Sequence, residues 1–449
     1  MTDIDRRLLL GLAGVASASL AAKLAQAGSL NPPPGPVAPT GKTTDQIEPR
    51  IDLMNAPASA NVTSGSGYHY IINKPGSYYL SSNLAVTMAN GIYVNTHDVT
   101  LDLCGFSISR GSGSGGTAIA AFADYNNTFL NGTLRGFDTA FETNAGCRFE
   151  DLTVVDCANG FGVALAMLSR CRAQNCSEYG FAGSNTTWVD CLATSCGKGF
   201  VVGDASALTR CYAGGSTDIG FSGLDGCRLD GCIAQDGHND APAAFQFGNG
   251  CTLTSCSAIA NTVQYGFVVG NGCTLIGCTA QGNTSAHTVS AGYYLGGSIA
   301  RDCAANGQAT TTTATNSTGA GFFAGLGGNR IEGCIANGNS GDGFSIGFES
   351  VVARNAATHN AFAGVHASGG SIVVEGNRVV ANTGNGILVE GTVNLVFGNS
   401  ARNNTAGNYS IVANNRVGAI VVPALNASAI SGNSGGSAIT TDPYANIAF

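Results

Sequence analysis

Apolar positions return in columns along most of this chain. A large apolar residue stands three places before a cysteine or asparagine, as in Leu168 and Cys171, Trp188 and Cys191, Leu275 and Cys278, and Val374 and Asn377. A small residue, nearly always alanine, follows two places later, as at Ala173, Ala193, Ala280 and Ala357. Further along each period comes a Gly–aromatic or Gly–aliphatic pair, such as Gly180-Phe181, Gly266-Phe267, Gly321-Phe322 and Gly386-Ile387. The set recurs about every 22 residues, and a fixed period of that length means stacked structural repeats. Three short apolar stretches per period, with turn residues between them, predict three strands per coil. No window carries the i, i+3, i+4, i+7 spacing of an amphipathic helix. Parallel strands stacked coil on coil bring equivalent residues to about 4.8 Å, so columns in sequence become ladders in space. The expectation is an all-β parallel solenoid of roughly fifteen coils.

Alternation along each strand assigns the faces. Each cysteine and the alanine two places on point into the coil, and the aromatics from Phe161 to Phe344 fill the opposite corner without voids. Arg170, Asp190 and Arg210, just before the cysteines, then point outward with alternating sign on successive coils. The residue after each inward aromatic also faces out. That stripe includes Gln246, Tyr294, Phe323, Ser345 and His366.

Length alone, 449 residues, would suggest two domains. A solenoid escapes that rule because each coil contacts only its neighbours. The 65 glycines and the 11% of charged residues suit tight turns and uncharged polar loops. With a net charge of −8 and few lysines, no basic stripe for nucleic acid is visible. Residues 1–27 read as an export signal. Asp5-Arg6-Arg7 opens an apolar run to Ala22, Lys23 follows, and Ala25-Gln26-Ala27 is a small-x-small cleavage site. The paired arginines resemble a twin-arginine signal, with a general secretory signal as the other reading. The run is too short for a membrane span, so the expected location is periplasmic, cell-surface or extracellular. Residues 28–46 read as a Pro-rich linker, 47–85 as an N-terminal cap, 86–440 as the solenoid and 441–449 as a tail.

Sixteen cysteines in an exported chain raise the question of disulfides. All but Cys104 fall into three ladders: the main column, a second with Cys157, Cys176 and Cys196, and a third with Cys147, Cys227, Cys251 and Cys273. In-register side chains point the same way, which strains a disulfide dihedral. Asn355, Asn377 and Asn399 replace cysteine in later rungs, so the position needs a small side chain at a turn. Buried free thiols acting as small hydrophobes are expected. The Cys-x4-Cys pairs are a product of the period, and zinc is not expected.

These coils resemble right-handed parallel β-helix repeat proteins with the pectate-lyase-like fold. The asparagine column is similar to that family's asparagine ladder. Val99-Thr-Leu-Asp-Leu-Cys-Gly-Phe-Ser-Ile108 resembles a first-coil phrase of exported bacterial β-helix proteins, with Cys104 where asparagine is usual. The resemblance implies the fold and leaves the function open, since relatives include polysaccharide lyases, hydrolases, tailspikes and adhesins. In the pectin-acting relatives the chemistry lies on the outer face of one strand column. The outward stripe here carries no carboxylate, so no family catalytic residue transfers.

The stripe does offer a binding surface. Tyr294 and Phe323 fall on adjacent coils with their rings predicted outward, and Gln246, Ser345 and His366 extend the row. Long loops precede it, from Gln235 to Ala243, Gln281 to Ala291 and Asn306 to Ala320, and such loops commonly carry function. Asp236, His238 and Asp240 are the densest titratable group, with His287 two coils on. A histidine between two carboxylates can act as a general base or help hold a cation, while turn-forming residues of a solvated loop are the competing reading. Two functional readings follow. In one, the chain binds a polysaccharide along the stripe and cleaves it with His238 as base, Asp236 and Asp240 orienting it, and calcium as a cofactor if the reaction is a lyase's; otherwise no cofactor is evident. In the other, it is a non-catalytic structural or adhesive solenoid.

Overall fold

The computed structural model describes residues 50–422 and 441–449, apart from 56–60, 112–114, 123–125, 145, 239–240, 314 and 317. The export signal and the linker lie outside the described residues. What is described is all-β, a parallel solenoid of about 16 turns. Each coil runs through one strand of a sheet here termed B, then two strands of a sheet termed A. One complete coil is Lys198–Val202 in sheet B, then Ala207–Thr209 and Tyr212–Gly214 in sheet A. Each strand pairs in parallel with its equivalent one coil away.

The corners explain the columns. The residue just before each main-column cysteine or asparagine has positive φ, as at Arg170, Asp190, Arg210, Asp302 and Arg354, or is a glycine such as Gly231 and Gly376. The same holds before the second column (Asn175, Ser195, Asp236, Ala260, His359) and the third (Leu165, Asn185, Ala205, Glu349). One left-handed residue turns the chain at each corner, and the next side chain drops into the coil. Glycine, asparagine and aspartate pay least for that conformation, which is why they crowd these places. The exposed corner charges pair with the neighbouring coil: Arg170 Nε lies 2.7 Å from Asp151 Oδ1, and Arg210 Nε 2.7 Å from Asp190 Oδ1.

The interior is built from the predicted ladders. Phe161, Phe181, Phe200, Phe221, Phe245, Phe267, Tyr293, Phe322 and Phe344 stack face to face with centroids 4.5 to 4.9 Å apart. Trp188 is inward and fully buried. All sixteen cysteines are free, and all but Cys104 are buried. Their role is more than that of small hydrophobes. In the asparagine rungs, Asn377 Oδ1 accepts the Asn355 N–H at 3.0 Å, and Asn377 Nδ2 donates to the Val352 carbonyl at 2.9 Å. In the cysteine rungs, Cys334 Sγ accepts the Cys303 N–H at 3.4 Å and donates to the Ala300 carbonyl at 3.5 Å. The thiol therefore serves the same two backbone groups as the amide, through longer and weaker bonds.

Strands also occur in the segments read as cap and tail. Tyr68–Ile72 and Gly76–Tyr79 pair in parallel with the coil that follows, and Val62–Gly65 folds antiparallel over Tyr68–Ile72. At the other end, Asn446–Ala448 pairs with Ser400–Arg402, and Asn446 Oδ1 accepts the Asn399 N–H at 3.0 Å.

Candidate functional site

Sheet B carries the outward stripe in the predicted register. Ser222, Gln246, Val268, Tyr294, Phe323, Ser345, His366 and Leu388 are successive partners across neighbouring strands. An open groove of roughly 500 Å³ runs over Ala182, Val201, Ser222 and Gln246 at one end, with Leu224 at its edge. Further along stand the aromatic side chains. The Tyr294 and Phe323 rings stack at 5.6 Å, and Tyr265, from the column beside the stripe, meets Tyr294 at 5.1 Å. All three are half-buried. A Cβ at Gly325 would come within 2.9 Å of the Phe323 ring, so the ring lies along its own strand. Burial and the neighbouring Tyr294 push the Tyr265 phenol up to about 12.

The two sides of the stripe differ. On the side where the strands begin, the long loops stack on each other: Thr284–Ser285 pairs with Ala309–Thr310, and Thr318 Oγ1 donates to the Thr288 carbonyl at 2.7 Å. On the side where the strands end, Leu326 and Phe348 are exposed.

Ser345 and His366 are buried, at 7% and 6% exposure, rather than open on the stripe. His366 sits between two carboxylates: Nδ1 is 2.9 Å from Asp342 Oδ2, and Nε2 is 3.0 Å from Glu390 Oε2. Asp342 is fully buried, and its other oxygen accepts the Ala363 N–H at 2.8 Å. Glu390 is 57% exposed. Both contacts are satisfied together when the ring is an imidazolium, which donates from each nitrogen. Burial opposes that charge, but the hydrogen bonds and charges of Asp342 and Glu390 outweigh it and hold the His366 pKa above its ordinary value. Burial likewise pushes the Asp342 carboxyl up, against the lowering effect of His366 and the Ala363 N–H. The pair thus keeps its shared proton to higher pH than either group alone.

Inspection of the stripe positions alone misses both acids. Glu390 lies two residues past Leu388, and Asp342 lies in the column just before the Gly–aromatic pair. That column supplies a signal: it reads Tyr265, Ala291, Ala320, Asp342, Ala363 and Asn385 on successive coils, and a buried carboxylate there stands between two buried alanines.

The loop residues Asp236, His238 and His287 are each positioned through their backbone. Asp236 occupies a left-handed corner, on the rung of Gly215 and Ala260, and its Oδ2 accepts from Gln235 Nε2 at 3.0 Å. That corner accounts for an aspartate by itself. His238 is exposed, and its N–H is held by the Ser216 carbonyl at 2.9 Å. The His287 N–H is held by Ser285 Oγ at 3.0 Å. Asp240 lies outside the described residues. Among the described residues, no group of three or more His, Cys, Asp or Glu is placed to hold a metal ion. No helix among them is long and apolar enough to cross a membrane.

No curated protein matches the chain. Several solved structures do. The A-module of a mannuronan C-5 epimerase from Azotobacter vinelandii is 13% identical over 72% of this chain and 90% of that one, with a TM-score of 0.42. A periplasmic alginate epimerase is 11% identical over 82% of each chain, with a TM-score of 0.32. The catalytic unit of an α-1,3-glucanase from Streptomyces thermodiastaticus is 13% identical over 84% of this chain and 62% of that one, with a TM-score of 0.23. Residues 248–406, which hold most of the stripe, match the family model for a right-handed β-helix region. The parallel coils and ladders described above run through the matched residues and beyond them, and the described chain has the fold of a right-handed parallel β-helix.

Proposed function

We propose that this protein binds a polysaccharide along the outer face of sheet B, after export from the cytoplasm. The carrying observation is the stacked, half-exposed pair Tyr294 and Phe323, in one row with Gln246 and His366. Flat rings side by side accept the apolar faces of consecutive sugars, and the coil spacing of about 4.8 Å suits a polymer lying along the solenoid axis. The reading Arg6-Arg7 followed by a short apolar run supports export. If the polymer is also cleaved, the Asp342–His366–Glu390 element is better built for proton transfer than the loop residues Asp236, His238, Asp240 and His287. Its imidazole is oriented by a buried carboxylate, as acid–base catalysis requires. The test is retention of the full chain on immobilised polysaccharides, with Tyr294→Ala and Phe323→Ala beside it. Both substitutions should lower retention at least about tenfold, equivalent to about 1.4 kcal/mol. Retention that survives both would remove the stripe from consideration. Release of reducing or unsaturated ends, lost in His366→Gln, would add catalysis to binding.

A further inference from the structure

Charge is sorted between the faces of this solenoid. From Arg210 to Arg416 every arginine lies on a strand of sheet A or at the corner between its two strands. Several are paired there, as Arg330 with Glu332 and Arg354 with Glu332 and Glu375. The last lysine, Lys198, stands at the start of a sheet B strand and faces Asp218 at 3.5 Å. Along sheet B and its flanking corners beyond that point, the fixed charges of the described residues are carboxylates: Asp204, Asp218, Asp225, Asp236, Asp342, Glu349 and Glu390. The imidazolium of His366 is the one counter-charge on the stripe, and it is already held between two of them.

Resting on the polysaccharide reading above, we infer that the polymer is a neutral glycan. A polyuronate laid along the stripe would bring a carboxylate past Glu390 and Glu349 with no free cation to receive it, and like charges repel. A neutral sugar meets what the face does provide. The Tyr294 and Phe323 rings take its C–H face. The exposed Glu390 oxygens accept hydroxyl protons, as charge-assisted bonds stronger than neutral ones. Ser222 and Gln246 supply uncharged donors and acceptors. Asp342 and His366 hold Glu390 in place from beneath, as positioning residues. The carboxylate that repels an acidic polymer is thus the one that recognises hydroxyls.

The experiment is affinity electrophoresis of the full chain through gels containing laminarin, dextran, soluble starch or xylan, against polygalacturonate and alginate, with and without calcium. The inference expects retardation by a neutral glycan that is unchanged between about 0.15 M and about 1 M salt, since no ion pair is screened. It expects none by the polyuronates. Glu349→Lys should leave neutral retention intact and begin to admit polyuronate. Glu390→Gln should weaken neutral retention about tenfold or more. Retardation by a polyuronate that is lost in Tyr294→Ala would overturn the neutral assignment and leave the binding face standing. Retardation by none of the polymers would overturn both.

Discussion

Asparagine 377 offers a direct test of the equivalence between the amide and thiol rungs. Its Oδ1 accepts the Asn355 N–H and Asn355 Nδ2, at 3.0 and 3.1 Å; its Nδ2 donates to the Val352 carbonyl and to Asn399 Oδ1, at 2.9 and 3.0 Å. Alanine removes all four. Asn355 Nδ2 keeps the Ile331 carbonyl, and Asn399 Oδ1 keeps the Asn377 N–H. The group stranded is the Asn355 N–H, because the Val352 carbonyl keeps its ladder bond to the strand Val373–Glu375. At about 1–3 kcal/mol for a buried group left unpaired, Asn377→Ala should cost about 1–3 kcal/mol. Asn377→Cys should cost less than half of that, because a thiol reaches the same two groups in the rungs of Cys303 and Cys334. Solenoids unfold by segments, so a single global transition is a poor gauge. The assay is hydrogen exchange by mass spectrometry over the coils of Asn355 and Asn377, with the fluorescence of Trp188, the one tryptophan, reporting on the distant coils. Asn377→Cys exchanging as fast as Asn377→Ala would refute the account of the thiols as hydrogen-bonding substitutes.

Two further outcomes follow from the packing and the charges. Phe245 stacks between Phe221 and Phe267 at 4.8 and 4.7 Å, and Phe245→Ala should cost about 3–5 kcal/mol, seen as faster exchange in its own and adjacent coils. His366 has a folded pKa above its unfolded value of about 6.5, so its contribution to stability is full below that pH and is lost as pH rises through the folded pKa. The stability difference between the wild type and His366→Gln should therefore shrink on going alkaline; a difference that grows would reverse the assignment of charge to the ring.

The architecture was legible because the fold writes its geometry into the sequence once per coil. A left-handed corner followed by an inward small residue constrains two neighbouring positions, and repetition makes even a weak preference visible. The outward stripe was legible for the same reason: alternation from Phe267, Tyr293 and Phe322 places Val268, Tyr294 and Phe323 outside. The Asp342–His366–Glu390 element was not, because its members sit on three coils and on three different columns. Its contacts span separations that no periodic reading couples. Asp236 reads two ways from sequence, since a left-handed corner selects aspartate for its backbone as readily as an acid–base site selects it for its carboxylate.

The fold itself has no need of a carboxylate at position 342. Ala320 and Ala363 occupy the equivalent places on the coils either side, and Leu388 follows His366 in the stripe. A buried ion pair is often replaceable by apolar residues at no loss, whereas removing one partner commonly costs about 3–5 kcal/mol. Asp342→Ala should therefore destabilise its coil by about that amount, because the imidazolium loses its buried counter-charge. Asp342→Ala combined with His366→Leu should recover most of the loss, since it restores the pattern the neighbouring coils already use. Hydrogen exchange at Ala363, whose N–H is held by Asp342, is the local readout, with melting temperature beside it. If the double variant regains stability yet loses glycan retention, the carboxylate–imidazole element is retained for recognition. If the double variant is no more stable than Asp342→Ala, the element belongs to the architecture and its place on the stripe is incidental.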